Sequence, residues 1–268
     1  MLTNTRSDRV KSVKALTRRA VRQREGLFLA EGPQAVREAV RFRPEAVRDL
    51  YAVPEAAARH AAILEEAAGQ GIHVHEVSPE VLAAMGDTTA PQGLLAVCRP
   101  VDVPLADVLG ADPRLLVVLT NVRDPGNAGT VIRGADAAGA DAVLVSDASV
   151  DVYNPKVVRS TVGSLFHLPV VTGVPVPQLL ASLRETGVRL LAADGSGATV
   201  LDDADLSGRH AWVMGNEAWG LEPEVREACD EVVRVPIHGH AESLNLAMAA
   251  TICLYASASA HRGTRRNG

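Results

Sequence analysis

A chain of 268 residues can bury roughly three quarters of the surface its unfolded form exposes, enough for one large domain or two modest ones. Hydrophobic content of 47% with a net charge of only -5 excludes a disordered chain. Cys98, Cys229 and Cys253 lie far apart without metal-ligand spacing, no apolar run reaches the roughly 18 residues of a membrane span, and the first residues are too polar for a secretory signal, so a reduced, soluble, cytoplasmic protein is expected.

Residues 1–24 carry eight basic side chains against one acid, Asp8, for a local charge of +7, a density that attracts polyanions. Val10, Val13, Leu16 and Ala20 recur at spacings of three and four, which predicts a helix with one docked face and its basic residues turned outward. The plain alternative is a solvated surface helix. A strand over 26–30, a helix entered at Pro33, a strand over 50–53 and a helix over 55–68 follow. A strand over 72–77, a helix over 78–85 capped by Ser78 and a strand over 94–97 complete a small α/β domain. Pro100 and Pro104 mark a linker, giving expected domains at 1–104 and 105–268.

A second alternation begins at Leu115. Apolar runs over 115–120, 142–145, 168–171, 188–193, 211–214 and 232–235, with helices between most of them, predict an open parallel sheet of six strands joined by right-handed crossovers. Three polar loops, 121–133, 215–221 and 236–245, each leave the carboxyl end of a strand, where open α/β sheets place their ligands. Gly215, Gly220 and Gly239 allow close backbone approach, and Ser243 and Asn245 stand at the mouth of a long apolar helix that Ser243 is suited to cap. A dinucleotide fold is disfavoured: Gly126 and Gly129 lack the Gly-x-Gly-x-x-Gly spacing, and no acidic residue closes the second strand, Asp147 lying only near that place.

Taken together and in order, these three loops resemble the signature motifs of the SpoU/TrmH family of RNA 2'-O-ribose methyltransferases, within the SPOUT superfamily. Residues 28–32 with 35–39, 91–93 and 159–169 also resemble family segments, so the likeness covers nearly the whole chain. It implies an α/β protein whose C-terminal, parallel-sheet methyltransferase domain is tied in a trefoil knot, an exception to the rule against threaded chains, preceded by a small α/β RNA-binding domain. It further implies S-adenosylmethionine as cofactor and a homodimer, and methyl transfer from a sulfonium is expected to need no metal. The substrate the likeness implies is structured RNA, with 23S ribosomal RNA favoured because a chain with an added N-terminal domain resembles the ribosomal RNA members more than the tRNA members. A tRNA methyltransferase and a catalytically silent RNA-binding protein of the same fold are the alternatives.

The likeness carries over residue by residue. Arg133 matches the catalytic arginine, Asn127 the motif-one asparagine, Glu217 the motif-two glutamate, and Ser243 with Asn245 the motif-three pair. Main chain at Gly215, Val235 and Leu244 is expected to hold the adenine end of the cofactor. Ala193, Asn216, Pro236, Ile237 and Gly239 complete the expected cofactor contacts, together with Ser243 and Asn245. Lys11, Lys14, Arg18, Arg19, Arg22, Arg24 and Arg123 are the expected RNA contacts. Ile237 stands where methionine is common, and Leu246-Ala247 where Val-Ser is common, departures that bear on packing around the cofactor rather than on the chemistry.

A ribose hydroxyl is a poor nucleophile and must lose its proton while it attacks the methyl group of a sulfonium. A guanidinium is effectively always protonated, so Arg133 is read as a clamp on the target phosphate, with the base assignment as its rival. His238 and His240, two residues apart with no third ligand nearby, read as exposed loop residues, and Trp212 and Trp219 as core and loop packing. The small-residue face of the last helix is either core or dimer surface.

Overall fold

The computed structural model describes residues 1–266. In the N-terminal part the basic segment forms two helices rather than one, α1 (Asp8–Ala15) and α2 (Arg19–Glu25), because the chain turns at residues 16–18. Ser7 caps α1 by accepting the Val10 N–H, and Val10, Val13 and Leu16 are buried as their spacing predicts. Arg22 corrects the expectation of an RNA contact. It is only 5% exposed: one guanidinium nitrogen donates to the Leu16 and Thr17 carbonyls freed by the turn, and the others pair with Asp151. Lys11, Lys14, Arg18, Arg19 and Arg24 are exposed, Lys14 also donating to the Gly86 carbonyl.

Strand β1 (Phe28–Glu31) leads through Gly32 into α3 (Pro33–Phe42), with Pro33 at the first helical position. Next come β2 (Val47–Ala52), α4 (Pro54–Arg59), α5 (Ala61–Gly69), β3 (Val74–Glu76), α6 (Pro79–Met85) and β4 (Leu94–Cys98). The single helix predicted over 55–68 is broken at His60, whose φ of -119° and ψ of 35° are not helical. The four strands lie in the order β1-β4-β2-β3, antiparallel except for the β2–β3 pair, and β4 is buried along its whole length.

The second sheet is wholly parallel. Its chain order runs α7 (Leu105–Gly110), β5 (Leu115–Leu119), α8 (Pro125–Ala138), β6 (Ala142–Ser146), α9 (Pro155–Thr161), β7 (Val170–Val174), α10 (Val176–Glu185) and β8 (Arg189–Ala193). It continues with β9 (Thr199–Val200), β10 (His210–Met214), α11 (Pro223–Glu227), β11 (Glu231–Arg234) and α12 (Leu246–Arg266). The strand order is β7-β6-β5-β10-β8-β11-β9. The six predicted strands are present, and β9 adds a two-residue edge that no apolar run announces. Apolar stretches such as Leu115–Leu119 are buried throughout, as a strand covered on both faces requires. On one face Leu116, Val118, Leu144, Leu179, Leu183, Leu190 and Val213 form a continuous core. On the other, α8 and α12 pack so closely that a Cβ at Gly134 would come within 2.8 Å of the Thr251 hydroxyl. Trp212 is fully buried, as its reading as core predicts, and donates its indole N–H to Ser257 Oγ at 2.8 Å.

The compact units differ from the domains expected at 1–104 and 105–268. Residues 1–101 cluster with 151–167, and the second unit is 102–150 with 168 onward. Phe28 of β1 packs on Tyr153 and Phe166, at ring separations of 4.6 and 6.1 Å. Arg159 of α9 pairs with Glu31 and Asp87, and His167 with Glu38. These long-range contacts, invisible to periodicity, draw 151–167 into the first unit.

Candidate active site

Strands β5 and β10 lie side by side, and the Thr120 N–H and hydroxyl both donate to the Met214 carbonyl at 2.9 Å, which joins the loops that leave their carboxyl ends. Asn121 then adopts φ of 56°, a left-handed conformation that asparagine tolerates better than most residues. Its carbonyl accepts the Asn216 side-chain amide at 2.7 Å, and its own amide donates to Glu222 at 3.1 Å. Asn216 and Gly220 exchange two backbone hydrogen bonds, of 2.8 and 2.9 Å, and Asn216 Oδ1 accepts the Ala218 N–H. Gly215 is obligatory here, since a Cβ would lie 2.3 Å from the Gly220 carbonyl carbon.

That locked loop carries Glu217. Its carboxylate accepts the Asp124 N–H (3.0 Å), the Arg123 N–H (3.1 Å) and the Asn127 side-chain amide (3.2 Å). The negative charge therefore sits at the amino end of α8, where the helix dipole favours it. Asn127 Oδ1 in turn accepts the Asn245 amide at 2.9 Å. Asn245, not Ser243, caps α12: its Oδ1 takes the Ala247 N–H at 2.9 Å, because the helix starts at Leu246 and Ser243 lies too far upstream. One chain of side-chain bonds, Glu217 to Asn127 to Asn245, thus joins all three polar loops.

Between the second and third loops lies a cleft of about 320 Å³. Of the expected cofactor contacts, Ala193, Gly215, Asn216, Val235, Ile237, Ser243 and Leu244 line it, with Glu217 at its edge. Pro236, Gly239 and Asn245 do not line it, and neither do Asn127 and Arg133. Arg133 stands exposed on α8, and no hydrogen bond or ion pair engages it among the described residues. The Arg123 guanidinium is likewise exposed and unpaired among the described residues.

Met214, Ala218 and Glu242 line the cleft as members of the second and third loops or, for Met214, of the strand end before them, whereas Asp194, Gly195 and Val233 lie outside the predicted loops. Asp194-Gly195 follows the carboxyl end of β8, so the placement rule that found the other loops applies to it as well. Burial alone would raise the Asp194 pKa, but hydrogen bonds from the Ser196 hydroxyl and N–H, with the Arg226 charge, outweigh it and hold the carboxyl below its ordinary value. His238 and His240 are exposed, and no group of three His, Cys, Asp or Glu side chains is gathered as for a metal ion among the described residues. No helix among the described residues is long and apolar enough to cross a membrane. A larger concavity of about 640 Å³ lies in the first unit around Val53, Arg59 and Gln92, but none of the three polar loops borders it.

Comparison with known proteins bears on this geometry. The model of the SpoU rRNA Methylase family matches residues 114–255, and that of an MRM3-like substrate binding domain matches residues 7–96. The chain is 34% identical over 252 residues to the 23S rRNA (guanosine(2553)-2'-O)-methyltransferase RlmP of Bacillus subtilis, covering 94% of this chain and 96% of that protein. It is 34% identical over 239 residues to the 23S rRNA (guanosine-2'-O-)-methyltransferase RlmB of Bordetella pertussis, covering 87% and 97%. The crystal structure of an AdoMet-bound rRNA methyltransferase from Sinorhizobium meliloti superposes with a TM-score of 0.85 at 30% identity, over 98% of this chain and 97% of that one.

Proposed function

The chain belongs to the SpoU rRNA methylase family, and from that premise we propose that it transfers a methyl group from S-adenosylmethionine to a ribose 2'-hydroxyl of structured RNA, 23S ribosomal RNA in particular. The observation that carries the reading is the bonded line Glu217–Asn127–Asn245, which fastens three loops from distant parts of the chain beside one cleft.

The cleft suits that cofactor. Val233, Val235, Ile237, Leu244 and Leu246 offer apolar walls to an adenine ring, and Asp194, Glu217 and Glu242 set carboxylates beside them for ribose hydroxyls and for cationic groups. Gly215, Val235 and Leu244 would hold the adenine end by main chain, with Ala193, Asn216, Ile237 and Ser243 along the walls and Pro236 and Gly239 shaping the third loop. When bound, S-adenosylmethionine supplies an electrophilic methyl group on a sulfonium, which leaves as a neutral thioether.

The protein's own part is positioning. Glu217 and Asn127 hold the amino end of α8 against the second loop, and Asn245 holds the third loop to both. Arg133, exposed and unpaired, is free to clamp a phosphate and so orient the adjoining hydroxyl, whose proton passes to phosphate or solvent because a guanidinium is poorly suited to accept it. Arg123, with Lys11, Lys14, Arg18, Arg19 and Arg24, offers further phosphate contacts.

We also assign two larger features to this reading. Threading of the C-terminal segment through a trefoil knot is supported by the strand order, with β10 between β5 and β8, and by the return of α12 from β11 to pack on α8. A homodimer is supported by Met248, Ile252 and Tyr255, exposed by 59%, 39% and 46% at helical spacing on α12. The protein would act in the cytoplasm, on ribosomal RNA.

The test is methyl transfer from tritium-labelled S-adenosylmethionine to 23S ribosomal RNA transcripts, followed by mapping of the alkali-resistant linkage. One protected position is the expected result. Incorporation into tRNA alone would redirect the substrate, and no incorporation into either would overturn the reading.

A further inference from the structure

Trp219 sits in the second loop and is 57% exposed, whereas Trp212 fills the core. A single exposed apolar residue is ordinary on a protein surface. Trp219 differs in how firmly it is presented. The paired Asn216–Gly220 backbone bonds close the loop around it, Asn216 Oδ1 fixes Ala218, the Asn216 amide anchors the loop to Asn121, and Gly220 holds φ of 73°.

Its neighbours on both sides, Ala218 and Gly220, line the cleft, so the indole is carried at the rim. Glu217, two residues earlier, accepts the Arg123 N–H, and the Arg123 guanidinium is exposed with no partner among the described residues. Glu217 therefore ties the loop that carries Trp219 to the backbone that carries Arg123, with an exposed aromatic side chain on one and an exposed cation on the other.

Resting on the methyltransferase reading above, the occupant follows from RNA chemistry. Sequence-specific RNA recognition targets single-stranded loops and bulges, whose unstacked bases lie against aromatic side chains. We propose that Trp219 is the stacking platform for an unpaired nucleobase next to the target ribose, and that Arg123 pairs with the phosphate of the same segment. The pair would select a flipped or looped nucleotide over one held in a helix.

Two measurements test this on the full chain. With 23S ribosomal RNA transcripts, Trp219→Ala should raise KM about tenfold or more and Trp219→Phe less than about threefold, with the loss falling on KM rather than on kcat, since stacking accepts any aromatic face. In parallel, titration with an unstructured oligoadenylate should quench the exposed indole emission of the parent protein, and Trp219→Phe should abolish the quenching. Wild-type turnover combined with an unaltered KM in Trp219→Ala would overturn the platform and leave methyl transfer standing. Absence of quenching overturns it whatever the turnover, as would a change from dimer to monomer in Trp219→Ala, which would make the indole a contact between copies. Quenching without turnover on any RNA would keep the platform and remove the methyltransferase reading.

Discussion

Asn245 divides its side chain between two partners: Oδ1 accepts the Ala247 N–H at 2.9 Å, and Nδ2 donates to Asn127 Oδ1 at 2.9 Å. Helix capping thereby fixes which end of the amide faces Asn127. Asn245→Asp keeps the cap but sets an acceptor against an acceptor. It should leave the unfolding midpoint nearly unaltered while slowing single-turnover methyl transfer about 10²-fold, the scale of a small misplacement of reacting groups. Asn245→Ala should lose the cap as well, at about 1 kcal/mol of stability. Denaturant unfolding beside single-turnover rates checks both; a full-speed Asn245→Asp would refute the role.

Arg133 has no structural partner to lose. Arg133→Ala should retain the unfolding midpoint and cofactor affinity and lower turnover at least about 10²-fold, as removal of a strong transition-state contact does. Arg133→Lys should restore little, because a point charge cannot reproduce the bidentate fork. Single-turnover transfer at saturating RNA and cofactor decides it, and near-wild-type rates in Arg133→Ala would return this side chain to the ordinary surface.

Two arginines four residues apart should fail in opposite ways. Arg22→Ala leaves Asp151 and two carbonyls without their donor and should cost about 3–5 kcal/mol of stability, the range for breaking a buried pair. Arg18→Ala, at an exposed site, should spare stability, weaken RNA binding and lower the salt slope by about one. Equal effects on both properties in either variant would be inconsistent with this division.

The exposed stripe on α12 gives a direct assay of assembly. Met248→Asp should convert a dimer at low micromolar concentration into a monomer by sedimentation. A parent protein already monomeric under those conditions would remove the dimer from consideration.

Burial lowers the His210 pKa from 6.5 to about 4, and its ring bridges the Gly208 carbonyl and Ser257 Oγ. The unfolded chain binds the proton more readily, so this contribution to stability is complete above pH 6.5 and is lost as pH falls toward 4, by up to roughly 3 kcal/mol. His210→Phe should flatten that part of the stability profile. Parallel slopes for the two proteins in urea unfolding between pH 6.5 and 4 would show that other groups carry the dependence.

Much of the frame was legible because burial writes itself locally. Runs such as Leu115–Leu119 and His210–Met214 announce strands, Ser78 and Gly139 announce helix ends, and ligand loops follow the carboxyl ends of strands. The misreadings share a different origin. The brief β9 edge depends on β11 and the burial of Arg22 on Asp151, partners from elsewhere in the chain. Ser243 and Asn245 are both good caps, and only the point at which α12 starts chooses between them.

The first unit takes residues 151–167 from well beyond its own sheet, and this has a bearing on synthesis. As the nascent chain leaves the ribosome, β1 emerges with Phe28 still lacking Tyr153 and Phe166. At about 5–20 residues per second the wait lasts about 6–28 seconds, during which β5, α8 and β6 of the other unit appear first. The first unit therefore cannot mature until residue 167 has emerged, with 102–150 of the second already outside: a ribosome stalled before residue 151, or a gene fragment ending there, would present an uncovered aromatic face to chaperones and proteases.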